Sequence, residues 1–254
     1  MKFFRVALGG LILAGAMHAH GPAAADGDRL TVVELFTSQS CYSCPPAEAY
    51  LGELAEDEDI LALEYHVDYW DRLNYGRYGR WKDAFSSPEM TQRQREYNVE
   101  IRDTGSVYTP QMVIDGRTEA VGSRRREVQN RIAAVRNDDR PRVDVAVRAD
   151  AGGGVTVEVG DVADASGDVW LVTFIRQVTT KVLRGENHGK TLTNHNIVRS
   201  VRHIGTWDGD TATFAVPDLV LEAGQSCAVL VQDGRVGPVF GAAYCPAGAG
   251  GTAS

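Results

Sequence analysis

Cys41-Tyr42-Ser43-Cys44 sets two thiols three positions apart, a spacing at which one sulfur can attack a disulfide and the other can resolve the mixed disulfide from within the chain. Placement decides whether such a pair reacts. Upstream, Leu30 to Phe36 reads as a buried strand that ends at the polar turn Thr37-Ser38-Gln39-Ser40; downstream, Ala47, Tyr50, Leu51, Leu54 and Ala55 recur at helical spacing. Pro45 and Pro46 are tolerated because they occupy the first turn. Free backbone N–H groups and the positive end of the helix dipole stabilise a thiolate at that junction. Cys41, expected to be exposed, is the expected attacking thiol and Cys44 the resolving one. The plainer reading, a bridge that only braces the turn, gains little, because so short a loop closes little chain entropy.

The elements around this junction repeat a simple order. Ile60 to Val67 returns to strand character, Ser86 or Ser87 can cap a helix from about Pro88, Gln111–Ile114 and Thr118–Val121 suggest a hairpin, and a last helix follows Ser123. The order is β-α-β-α-β-β-α. Tyr108-Thr109-Pro110 immediately precedes the hairpin, and in this topology the Thr109–Pro110 bond is expected to be cis, against the sulfurs. These marks resemble a thioredoxin-fold domain. More closely, Glu34 to Ala47, His66-Val-Asp-Tyr-Trp-Asp71 and Tyr108 to Val113 resemble an uncharacterised family of secreted bacterial thioredoxin-like proteins, and the similarity extends into Arg184-Gly-Glu-Asn187 and Thr191-Leu-Thr193. The resemblance implies a fold, export and a CxxC pair, but no substrate. It also implies that Pro110 shapes a substrate groove, with Tyr42, Thr109, His66 and Trp70 beside it. Thioredoxins usually carry Trp before the first cysteine and Gly-Pro between the two; Ser40 and Tyr42-Ser43 stand there in this chain.

From Arg142 to Tyr244 the pattern changes to about seven strands separated by turns such as Gly152-Gly153-Gly154 and Asp208-Gly209-Asp210, which favours an antiparallel sandwich. The expected organisation is a signal peptide over 1–25, an α/β thioredoxin-like domain over 28–139, an all-β sandwich-like domain over 140–247 and a flexible tail over 248–254. Cys227 and Cys245 begin and end the last two strands, whose connecting turn lies around Asp233 to Gly237. A hairpin closing there brings them opposite each other, as a structural disulfide requires. The other reading is a relay to the first pair.

Three features invite further readings. His66 and Asp68 end the second strand on the cysteine side, and Cys41, Cys44 and His66 would make a thiolate-imidazole set suited to Cu(I), or to zinc with a fourth ligand. Exported copper-delivery proteins with this fold use a cysteine pair plus histidine; a hydrogen-bonded structural histidine is the plainer reading. The aromatic run Tyr65, Tyr69, Trp70, Tyr75, Tyr78, Trp81 and Phe85 either walls the groove or packs against the second half. Arg184 to Lys190 reads as a long polar loop, of the kind that carries function, or as a solvated hairpin tip.

Composition bounds the rest. Of 254 residues 43% are hydrophobic, and the formal charge is −8 with no basic block beyond Arg124-Arg125-Arg126, so nucleic acid and anionic membranes are poor partners. Those arginines read as a solvated face, although cations at a helix start oppose the dipole. Lys2 and Arg5, the apolar stretch Val6 to Ala16 and the small residues Ala23-Ala24-Ala25 have the layout of a secretory signal. Cleavage after Ala25 is favoured over cleavage after Ala19. The mature chain would carry −10, keep all four cysteines and have no membrane anchor. Export places those cysteines in an oxidising compartment. The expectation is a periplasmic thiol–disulfide oxidoreductase without organic cofactor, acting on thiol- or disulfide-containing proteins; the alternatives are the copper protein and a non-catalytic binding module.

Overall fold

Strand β1 (Thr31–Thr37) is buried at every position, as a strand with neighbours on both edges and elements on both faces must be. It pairs in parallel with β2 (Ile60–His66) and antiparallel with β3 (Gln111–Ile114), which pairs with β4 (Thr118–Val121). Helices α1 (Pro45–Leu54), α2 (Pro88–Arg102) and α3 (Arg125–Arg136) complete the first half. The computed structural model describes residues 30–250. The expected signal peptide at 1–25 and residues 251–254 of the expected tail lie outside the described residues, while Ala249 packs into a core cluster.

The first half is mixed α/β and the second is richer in strands: β5 (Val145–Ala149), β6 (Val155–Val159), β7 (Gly167–Lys181), β8 (Thr191–Trp207), β9 (Ala212–Val216), β10 (Gln225–Gln232) and β11 (Val239–Tyr244). Four of these extend the first sheet. Its order is β11-β10-β7-β8-β2-β1-β3-β4, and β5-β6-β9 form a second, three-stranded sheet. The junction is β8 beside β2, with Ile197 opposite Glu64 in a parallel register. Alternating residues of the long sheet feed different cores. Val33, Leu35, Ala62 and Met112 meet α1 and α3 through Leu51 and Ile132. On the other face Phe36, Leu63, Val172 and Leu230 meet α2 through Met90 and Tyr97. Further along, Leu171, Val229 and Val231 meet Val157 and Val216 of the second sheet.

Two features steer the hairpin of β7 and β8 toward the cysteines. At Asn196 the backbone turns left-handed, with φ of 49°, and the strand's outer part packs along α1. A Cβ at Gly52 of α1 would sit 2.7 Å from the His195 ring, so glycine is what permits that close approach. On the opposite side Arg93 of α2, almost fully buried, donates to Glu34 Oε1 at 2.8 Å, to the Arg235 carbonyl at 2.7 Å and to Gln232 Oε1 at 3.2 Å. Tyr97 closes this network by donating to the second Glu34 oxygen. Within the arginine run, Arg125 grips both oxygens of Glu53 at 2.5 and 2.6 Å and lies over the Tyr50 ring. Its charge is answered across helices, which explains a cation at a helix start.

Candidate redox site

Cys41 and Cys44 form a disulfide with Cα atoms 5.4 Å apart. The pair sits between the end of β1 and α1, and Cys44 caps that helix, its carbonyl accepting from the N–H groups of Ala47 and Glu48 at 2.8 and 3.1 Å. Pro45 and Pro46 fill the first turn, where their lack of an N–H costs nothing. The expected exposure of Cys41 is not found: both cysteines are 0% exposed, covered by the turn and its neighbours, whereas Tyr42 between them is 65% exposed. Ser43 Oγ lies 3.4 Å from Cys41 Sγ.

The Thr109–Pro110 peptide bond is cis. Around it a small amide network sets the loop: Gln94 donates to the Tyr108 carbonyl at 2.7 Å and to Gln111 Oε1 at 3.0 Å, and Asn98 donates to Gln111 at 2.9 Å. Trp70 Nε1 donates to Thr109 Oγ1 at 2.9 Å, which brings those two expected groove residues together. Other members of the aromatic run stand against the cysteine turn. Trp81 donates to Gln39 Oε1 at 3.1 Å, and its carbonyl accepts from Ser40 Oγ at 3.2 Å. Tyr65 and Tyr69 instead pack in or against the main core. Asp68 accepts from Thr91 Oγ1 at 2.6 Å.

His66 lies beneath this surface and is fully enclosed. Its Nδ1 is 2.7 Å from Asp83 Oδ2 and its Nε2 is 3.3 Å from Glu64 Oε1. The same Asp83 oxygen accepts from the Gln39 backbone N–H at 2.8 Å, tying the histidine to the segment that leads into the cysteines. Burial opposes the imidazolium, but Asp83 and Glu64 outweigh it and hold His66 well above its ordinary pKa. The Asp83 carboxyl is held low by the same imidazole, against its own burial. Glu48, one helical turn beyond Cys44, accepts from Thr37 Oγ1 at 2.7 Å. Burial, with Glu64 adding and His66 opposing, pushes Glu48 up to about 8.

Asn187, Glu186, Glu48, Glu64 and Asp83 were not marked by sequence spacing. Two of them, Glu186 and Asn187, lie within the polar loop Arg184 to Lys190, which its polarity and the resemblance through Arg184-Gly-Glu-Asn187 had singled out. Asn187 is fully buried and donates to the carbonyls of Gln39 and Cys41, both at 2.9 Å. Glu186 accepts from the Tyr42 backbone N–H at 3.0 Å, and Lys190 Nζ stands 4.3 Å from the Tyr42 ring centre. The loop is thus a hairpin tip and a neighbour of the cysteine turn at once.

Cys227 and Cys245 form the second disulfide, across the β10–β11 pair, with Cα atoms 5.2 Å apart. Among the described residues, no group of three or more His, Cys, Asp or Glu side chains is arranged to hold a metal ion. With Nδ1 of His66 already engaged by Asp83, that counts against the copper reading. Among the described residues no helix is long and apolar enough to cross a membrane.

Residues 32–232 match the model of a family described as "Protein of unknown function (DUF1223)". No curated protein matches the chain. An X-ray crystal structure of protein AGR_C_4864 from Agrobacterium tumefaciens is similar, with 31% identity and a TM-score of 0.72 over 86% of this chain and 95% of that one.

Proposed function

The chain belongs to that family of unknown function, and from this premise we propose that it is an exported, periplasmic thiol–disulfide oxidoreductase acting on protein or small thiols. One observation carries the reading: the Cys41–Cys44 disulfide closes a turn between a buried strand and the mouth of α1, with Tyr42 exposed between the cysteines. The strand order β2-β1-β3-β4, flanked by α1 and α3 on one face and α2 on the other, supports a thioredoxin-like first half. The hydrogen bond from Trp70 to Thr109 supports a groove lined by Tyr42, Trp70, Thr109 and Pro110. His66 acts on it from beneath, through Asp83 and the Gln39 backbone. Cys227–Cys245 is a structural brace.

As a reductant, the Cys41 thiolate attacks a substrate disulfide, forms a mixed disulfide and expels one substrate thiolate. Cys44, deprotonated, then attacks Cys41 Sγ, restores the Cys41–Cys44 bond and releases the second substrate thiolate. Two electrons pass from the protein dithiol to the substrate. As an oxidant the same steps run backward from the form described above. Cys41→Ser should abolish insulin reduction or thiol oxidation down to the uncatalysed rate; retention of wild-type turnover contradicts the reading.

The complete burial of both cysteines favours a second reading, a binding module in which the bridge merely braces the turn. Trapping separates the two. A Cys44→Ser chain accumulates mixed-disulfide partners in the exported fraction if the pair exchanges, and none if it is a brace.

A further inference from the structure

The turn that carries Cys41 is held from outside by a segment almost 150 residues further along, whose hydrogen bonds from Asn187 and to Glu186 fall on the backbone of the cysteine turn or the segment leading into it. Asn187 uses both amide hydrogens on the carbonyls of Gln39 and Cys41, 146 residues from the latter, and is itself fully buried. Lys190 donates to the Asn187 side-chain oxygen at 2.8 Å, which fixes the amide's orientation. Glu186 places a carboxylate oxygen 3.0 Å from the Tyr42 nitrogen, the amide directly following Cys41. The segment is anchored at its back by the Gly185 N–H, which donates to the Tyr78 carbonyl at 3.1 Å, and by the His188 ring stacked on Tyr78. A Cβ at Gly185 would come within 3.0 Å of Trp81, so the close seat depends on glycine.

We propose that the β7–β8 hairpin tip is part of the redox centre: Asn187 positions the Cys41–Cys44 turn in its disulfide form, and Glu186 biases that pair against the dithiol. The proposal rests on the oxidoreductase reading and deepens it. When two external thiols reduce the pair, the first thiolate attacks Sγ of Cys41, breaks the bond to Cys44 and leaves a Cys44 thiolate that takes up a proton. The second thiolate attacks the sulfur of the first, forms the external disulfide and leaves Cys41 as thiolate or thiol. Charge therefore develops beside the Tyr42 amide, where Glu186 already supplies a negative charge and occupies the donor. A like charge disfavours the anion, so Glu186 favours the disulfide. The other charged or titratable groups facing this region are Lys190 on the tip, which opposes Glu186, and the His66–Asp83 pair and the protonated Glu48 beneath the turn. Asn187 acts differently: its two bonds tie down the backbone that must move before a thiol reaches the buried Cys41.

The test uses the full mature chain in glutathione buffers at fixed pH, with the dithiol fraction read by alkylation and mass spectrometry, and dithiothreitol reduction followed by stopped flow. Glu186→Gln should raise the equilibrium constant for reduction about threefold, the scale of one partly solvated charge contact, with the melting temperature unchanged. Asn187→Ala should speed reduction about tenfold, the scale of one net hydrogen bond. Leu183→Ser, an exposed change on the same tip, should alter neither. If Asn187→Ala fails to fold, Glu186→Gln still decides, because Glu186 is on the surface. Glu186→Gln within a factor of 1.5 of wild type, with a wild-type pair that does exchange, overturns the proposal. A wild-type pair that does not exchange at all overturns the oxidoreductase reading instead.

Discussion

Glu48 carries the largest consequence of any single side chain near the cysteines, because a carboxyl raised to about 8 keeps its proton in the folded chain while the unfolded chain loses it near 4.5. Between those values the folded state binds the extra proton, so stability falls as pH rises through that window. His66, also held high, loses its contribution in the same direction as pH climbs past its unfolded value and then through its folded one. Glu48→Gln mimics the protonated form and should flatten the decline. Chemical denaturation at pH 5 and pH 8 checks this: the variant should gain on wild type at the higher pH, and an identical pH slope for both contradicts it. Sequence spacing marked Cys41 and Cys44 because their place follows from position relative to one strand and one helix, and the two are found bonded there. Glu48 escaped, since an acidic residue in a first helical turn looks like an ordinary dipole partner until Thr37 and Glu64 enclose it.

At the scale of elements, the strands and helices of the first half were legible from their periodicity, with the cap of α2 narrowed to Ser86 or Ser87, of which Ser87 serves. What the pattern could not show was which edge of β2 would be covered. β2 is buried along all seven residues, so a neighbour is demanded, but a run of apolar residues does not say that β8 fills the place. Arg93 ties α2 to β1 and to the end of β10 through buried partners. Arg93→Met should destabilise the chain by about 3–5 kcal/mol, because it leaves Glu34 buried without its cation. Urea unfolding reads the loss, and a change below about 1 kcal/mol contradicts the assignment. Gly52→Ala should cost about 1–3 kcal/mol through overpacking against His195. It should also speed reduction of the Cys41–Cys44 pair, by displacing the hairpin that runs along α1. Unaltered reduction kinetics in a destabilised variant would uncouple the hairpin from the site.

Across the whole molecule, one eight-stranded sheet joins the α/β half to the β-rich half, and this continuity gives residue 187 a place beside residue 41. Seven strands in the second half were foreseeable from turn spacing, and so was the opposition of Cys227 and Cys245. Their division between an extension of the first sheet and a separate three-stranded sheet was not. It depends on pairings between strands distant in sequence, whose registers no local pattern specifies. The β-rich half thus supplies a wall of the cysteine turn as well as bulk. On the proposed function, this enclosed disulfide exchanges electrons with external thiols in the folded protein. Its most direct test is the reduction potential of Cys41–Cys44 in the intact mature chain, measured in thiol redox buffers with native circular dichroism recorded at each point. A reversible transition between about −270 and −120 mV, without unfolding, is the expected result. A pair that stays oxidised below about −300 mV, or opens only as the chain unfolds, would contradict the account.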